Sequence, residues 1–199
     1  MMDTESFKKR MKTTAYAKFD AHKRYERLNN TSLFALTSAS LLLIFVSIFN
    51  KYAIVLCPIV NPVMIELFSI IISIIITVLS LVVSFASYTL KSERSLRVGN
   101  DIIDLHDKLA VSSGDDEIRN ILQEYAILRK SADNHKRYHY VRGRLERKLE
   151  EGIQSVTEDD KPSVWNDIEY WAPIASFYFI SLSSFLIFFV NVFYCIKYA

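Results

Sequence analysis

The chain has 199 residues, 51% of them hydrophobic, with only four glycines and four prolines. So few chain breakers beside long apolar runs exclude an ordinary soluble domain and point to an all-helical integral membrane protein. The formal net charge of +2 hides a steep asymmetry, because the cations gather in the segments between and before the apolar runs.

Residues 1–31 carry Lys8, Lys9, Arg10, Lys12, Lys18, Lys23, Arg24 and Arg27 against Asp3, Glu5, Asp20 and Glu26. A basic segment directly before an apolar run is expected to stay in the cytoplasm. Phe7, Met11, Phe19, His22, Tyr25 and Leu28 are spaced loosely as an amphipathic helix. A basic helix of this kind is expected to lie beside the bilayer, held by anionic lipid, and that accounts for the charge without direct nucleic-acid binding. Phe49-Asn50-Lys51-Tyr52 follows the first run where a signal peptide would carry small residues, so no cleavage is expected.

The first span covers about Ser32 to Phe49, and a short external loop, Asn50 to Asn61, has Lys51 as its only charge. Pro58 and Pro62 punctuate that loop, so residues 32–90 read as a two-span hairpin. Between Glu66 and Lys91 no residue is charged. Within this second span Ser69, Ser73, Thr77, Ser80, Ser84 and Ser87 recur at spacings of three and four. At 100° per residue they fall, with Glu66 and Lys91, in an arc of about 80°. Hydrocarbon offers hydroxyls no partner, so that face is expected to meet another helix or water. A dry helix contact and a water-lined pore built from several copies both explain the stripe.

Past Leu90 the apolar period continues through Leu96, Ile102, Ile103, Leu105 and Leu109, predicting one long helix from the second span into the cytoplasm, with Gly99 as its weak point. Residues 112–117 read as a turn and helix start, followed at helical spacing by Ile118, Ile121, Leu122, Tyr125 and Leu128. The cytoplasmic region, 91–170, thus contains a helical hairpin. Its later part is basic: Arg137, Arg142, Arg144, Arg147 and Lys148, with Tyr138 and Tyr140 among them, are candidate contacts to phosphate or lipid. The same charge also fits a solvated helix surface that follows the positive-inside bias. His135 and His139 share a helix face, but no carboxylate or cysteine completes a ligand motif, so no metal is expected.

An acidic linker, Thr157 to Ser163, precedes Trp165, Tyr170 and Trp171, an aromatic cluster of the kind found at bilayer surfaces. A third apolar run from about Ala172 to Ile196 follows, making 171–199 a third transmembrane helix, with Pro173 expected in its first turn. Lys51 and Lys197 are then the only two of 24 Lys and Arg residues on the outer side. No phosphate-cradling glycine loop, catalytic triad ordering or metalloprotease spacing is present, so neither an enzyme nor a cofactor is expected. Cys57 and Cys195 both fall near the outer face, where they could pair as a disulfide or remain two separate thiols.

Certain polar residues carry a family resemblance. The segment Ala21 to Leu28 entering the first span, the Ser-rich second span running into Ser92-Glu-Arg94, and Tyr125-Ala-Ile-Leu128 followed by Asp133-Asn134-His135 resemble the SLATT family, the SMODS- and SLOG-associating two-transmembrane effectors, in its fifth subgroup. The resemblance covers about residues 5–155; Tyr125, Leu128, Asn134 and His135 match its motif. Two features depart from it: His139 stands where an acidic residue is expected, and the third apolar run is additional. The resemblance implies a bacterial inner-membrane effector of conflict and anti-phage defence, encoded beside a nucleotide-messenger synthase, a nucleotide sensor or a reverse transcriptase. Such a protein would oligomerise into a pore on a nucleotide or partner signal; a non-conducting scaffold or sensor that recruits a cytoplasmic partner is the alternative. The family supplies no catalytic residues.

The charge distribution makes a topology prediction. In a thiol-free variant of intact cells, single cysteines at Ser6, Ser113 and Ser155 should be protected from an impermeant thiol reagent, while one at Ala199 should label. Labelling at Ser113 would overturn the orientation.

Overall fold

A computed structural model describes residues 4–53, 62–131, 136–153 and 161–198. Its described residues form helices and no strand: α1 (Thr4–Ala53), α2 (Pro62–Ala86), α3 (Tyr88–Val111), α4 (Asp115–Ser131), α5 (Arg137–Glu150) and α6 (Val164–Tyr198). Three helical stretches are long and apolar enough to cross a membrane, Thr4–Ile48, Glu66–Val111 and Val164–Val190.

No glycine or proline interrupts residues 4–53, and the basic segment and the first apolar run form one 50-residue helix. The expected continuity of the second span with α3 is broken at one residue. Ser87 has a φ of 49°, a left-handed conformation that costs a non-glycine residue on the order of 1 kcal/mol. Its N–H donates to the Ser84 carbonyl at 3.3 Å and its hydroxyl to the same oxygen at 3.4 Å, a tightened turn that ends α2. The turn between α3 and α4 lies at 112–114, where the sequence places it. Asp115, Asp116 and Glu117 open α4, and Arg129 and Lys130 close it, each sign at the helix end whose dipole favours it.

α6 starts earlier than its apolar run. The Ser163 hydroxyl accepts from the Asn166 N–H at 3.3 Å and the Ser163 carbonyl from the Asp167 N–H at 3.1 Å, so the helix begins at Val164. Pro173 therefore lies inside α6, not in its first turn.

The chain divides into two compact units. One comprises the first 26 residues and Tyr88–Trp171. Its core joins Met11 and Ala15 of α1 to Ile102, Leu105 and Leu109 of α3 and to Ile121 and Tyr125 of α4, with Phe7, Phe19, Val98 and Leu128 packed around them. The amphipathic face of α1 expected to lie on lipid is thus covered by protein. Two glycines permit this closeness. A Cβ on Gly99 would stand 2.6 Å from the Phe19 ring, and one on Gly143 of α5 would stand 2.4 Å from the backbone nitrogen of Ala17. Gly99 is a packing site of α3.

The second unit comprises Arg27–Ser87 and Ala172–Ala199. On α1 the buried residues Leu28, Ser32, Ala35, Ala39, Leu42 and Val46 recur alternately at four and three; on α6 Ile174, Phe177, Ser181 and Ser184 do the same. A strict seven-residue repeat is the signature of helices that wind around one another, and small residues in the seam let the backbones approach. Phe34–Phe185 and Phe45–Phe188 ring pairs, with centroids 6.3 and 4.3 Å apart, join α1 to α6. The most apolar stretch of α2, by contrast, has no residue buried inside the chain.

Gly143 offers a direct test of the packing. Gly143→Ala should destabilise the detergent-solubilised protein by about 1–3 kcal/mol, because backbone cannot move aside as a side chain can. Gly114→Ala, with nothing within 4 Å of the added carbon, should change stability by no more than about 1 kcal/mol. Equal thermal midpoints for the two variants would contradict the close approach of α5 to α1.

Candidate functional site

The hydroxyl stripe lies on α2. Ser73, Thr77, Ser80 and Ser84 are exposed, as is Glu66, whereas Ser69 is half-buried. The Thr77 hydroxyl donates to the Ser73 carbonyl at 2.9 Å, a local bond that satisfies it without a partner helix. Near one end of the stripe Ser47 of α1, Glu66, Ser69 and Ile70 line a cavity of about 340 Å³. Ser87 carries the left-handed break that ends α2, and Lys91 belongs to α3.

A buried polar cluster in the first unit escaped the sequence reading. His139 of α5 is 1% exposed, and its Nδ1 lies 2.6 Å from a carboxylate oxygen of Asp20 on α1. The Tyr170 hydroxyl donates to the other Asp20 oxygen at 3.5 Å. Arg24, one turn along α1, donates from Nε to the Tyr170 carbonyl at 3.2 Å and from Nη2 to the Glu169 carbonyl at 3.3 Å. Its guanidinium lies over the Tyr138 and Tyr170 rings, 4.9 and 5.3 Å from their centroids. Pro173 has no N–H to give the Glu169 carbonyl four residues before it, so Arg24 supplies the missing donor. Burial, opposed by Arg24, raises the Tyr138 phenol to about 12.

The imidazole of His139 donates to Asp20 through Nδ1, which leaves Nε2 enclosed with no hydrogen-bond partner. Protonation would place a second, unaccepted N–H there. Burial accordingly holds the His139 pKa below its usual value of 6.5, and Arg24 and Lys18 push the same way while the Asp20 bond opposes them. His139, where the resemblance led us to expect an acid, instead takes its acid from α1.

The basic residues of α5 divide by direction. Arg147 is buried, donating from Nε to the Thr13 hydroxyl at 2.9 Å and from Nη1 to Glu151 at 2.5 Å, so it holds α5 to α1. Arg142 pairs with Asp167, and its guanidinium lies 4.1 Å from the Tyr170 ring centroid. Arg137 and Arg144 face a cleft of about 520 Å³ between α5 and the start of α6, and Tyr140 lines it with them. Lys148 is half-buried on the same helix.

Of the family motif, the Tyr125 hydroxyl bonds the Thr14 hydroxyl at 3.0 Å and its ring packs edge-on against Phe7. Leu128 packs on the core beside it. Asn134 and His135 lie outside the described residues, as do Cys57 and the side chain of Cys195. Among the described residues, no three His, Cys, Asp or Glu side chains gather as a metal site.

The profile of the SMODS and SLOG-associating 2TM effector domain family 5 matches residues 2–196. The chain belongs to this family. The match takes in the third apolar helix, which sequence inspection had set outside the resemblance. SLATT proteins of this group are two-transmembrane effector domains associated with SMODS and SLOG systems, and they are not a known enzyme family. No curated protein and no solved structure matches the chain.

The His139 environment predicts a pH dependence. Its pKa in the folded protein lies below its unfolded value, so the unfolded chain takes up the proton first. Stability is therefore full above about pH 6.5 and falls as the pH drops below it, by at most about 1.4 kcal/mol per unit. His139→Asn keeps a donor toward Asp20 but does not titrate, so its thermal midpoint should fall less between pH 7.5 and 5.5. Equal acid sensitivity in both proteins would refute the assignment.

Proposed function

We propose that this SLATT protein is a bacterial inner-membrane effector of anti-phage defence, which crosses the bilayer three times with its amino terminus in the cytoplasm. Several copies assemble through α2 into a pore that permeabilises the membrane on a nucleotide or partner signal. No catalytic step or cofactor belongs to this reading. An operon partner such as a nucleotide-messenger synthase or a reverse transcriptase would supply the signal.

The observation that carries the proposal is the stripe on a helix that its own chain leaves uncovered. Between residues 66 and 84, every position in the 80° arc is polar: Glu66, Ser69, Ser73, Thr77, Ser80 and Ser84. The seam between α1 and α6 also contains serines, yet it intersperses them with Leu, Ala, Val, Ile and Phe. A dry contact gains from such apolar residues, whereas an arc without any suits hydration. Glu66 sets a negative charge at one end. A non-conducting scaffold would need an uncovered α2 as well, so the two readings part on flux and not on assembly.

The test replaces Ser73, Thr77, Ser80 and Ser84 together with Leu. A pore predicts normal cross-linked oligomers with ion flux in liposomes and toxicity in cells both abolished, because the lining dewets. Leu at Ile71, Ile75 or Val82 should have little effect. A packing contact predicts broken oligomers from the same fourfold change, and fourfold Ala, which keeps the small volume, should then restore them. Full flux with unchanged assembly would remove this face from the mechanism.

A further inference from the structure

Three cations converge on the cleft between α5 and the start of α6. Arg137 and Arg144 approach from α5 and Lys161 from the segment before α6, and no described carboxylate lines the space. Two described acids near the cleft are engaged outside it: Asp167 pairs with Arg142, and Glu169 with Lys136 at 2.6 Å. Positive charge gathered around a concave space raises the local concentration of anions.

Two aromatic rings line the same cleft. Tyr140 lies beneath the Arg144 guanidinium, 5.8 Å from ring centroid to charge, and Trp165 stands at the opposite wall, 75% exposed. A largely exposed tryptophan beside three cations, with room for a small molecule, is the composition of a site that takes an anion carried on an apolar or planar body. The volume of about 520 Å³ exceeds what a bare phosphate ion needs. In the sequence Trp165 precedes the apolar run at Ala172 by seven residues, so both dissolved ligands and lipid headgroups are chemically in range.

We propose that this cleft binds a phosphate ester, its phosphate held by Arg137, Arg144 and Lys161 and its organic body against Trp165 and Tyr140. Arginine and lysine at such a site form charge-assisted bonds to phosphate oxygens. The shared chemistry admits a soluble nucleotide or the headgroup of an anionic phospholipid. The site differs from the stripe on α2 and is read without ion flux, so failure of either proposal leaves the other standing.

The chain contains two tryptophans, so Trp171→Phe leaves Trp165 as the single reporter in full-length protein. In a zwitterionic detergent, its emission is titrated with ATP, with a short-chain phosphatidylglycerol and with the matching phosphatidylcholine. A saturable change with ATP identifies a soluble ligand, and one with phosphatidylglycerol but not phosphatidylcholine identifies a lipid headgroup; inorganic phosphate should compete with either. Arg137→Glu and Lys161→Glu, at exposed positions where folding should be untouched, should each weaken binding by roughly tenfold or more. No saturable change with ATP or phosphatidylglycerol, or equal affinity in the charge-reversed variants, would overturn the site.

Discussion

Arg24 is the side chain on which the polar interior of the first unit depends. Pro173 removes the N–H that the Glu169 carbonyl would accept, and its ring crowds the same carbonyl. Arg24 answers with two charge-assisted bonds, one to Glu169 and one to Tyr170, and a guanidinium can make both because its donors are fixed in a planar fork. Its charge is then held over Tyr138 and Tyr170, whose rings also pack against His139 at 4.4 and 6.1 Å. The Asp20–His139 bond lies in the same enclosure. Lysine at position 24 could satisfy one carbonyl, but it could neither reach both in a plane nor spread its charge over two rings.

The second unit contains helices apolar enough to cross a membrane, and a hydroxyl placed in hydrocarbon would have to find its partner within the protein. Ser32, Ser38 and Ser184 of the α1 and α6 seam do so locally, donating to the Asn29, Ala35 and Ile180 carbonyls at 2.9, 3.0 and 2.9 Å, whereas the buried Ser181 hydroxyl meets no partner among the described residues. Local bonding frees these serines to act as small spacers, which is why the seven-residue seam tolerates them. Thr77 shows that α2 can do the same. Local bonding alone therefore does not decide what α2 meets. What differs is the company the hydroxyls keep, for the stripe has no apolar neighbour within its arc to contribute dispersion energy to a dry contact.

Much of this was legible in the sequence because it depends on local pattern. Three apolar runs, the turn at 112–114 and the helical period through Leu105 and Leu109 each follow from residues near one another in the chain. The amphipathic face of residues 7–28 was legible too, but periodicity says only that a face is apolar, and lipid and protein cover it equally well. Met11 meets Ile121 across more than one hundred residues, and no local rule names that partner. Pro173 misled for a related reason: its preference for a first turn is real, yet Ser163 caps a helix that starts earlier. The break at Ser87 carried no glycine to announce it. His139 carried no expected metal, and its actual partner, Asp20, stands 119 residues away among the charges of the amino-terminal segment.

The basic stretch shows how one charge pattern can serve separate ends. The positive-inside rule counts Lys and Arg near a span and is indifferent to where each side chain points. Packing is not indifferent. Arg147 and Arg24 spend donors on Thr13, Glu151 and backbone carbonyls, because a buried guanidinium is tolerated when its N–H groups are met; Arg142 gives one donor to Asp167 while its buried Nε has no partner among the described residues. Each still adds to the cationic total of the segments that flank the apolar runs. Arg137 and Lys161 contribute equally to that total from exposed positions, where the charge stays accessible to ligands. A count of basic residues therefore predicts orientation while overstating the surface open to an anion, and only burial separates the arginines that build the fold from those that face the cleft.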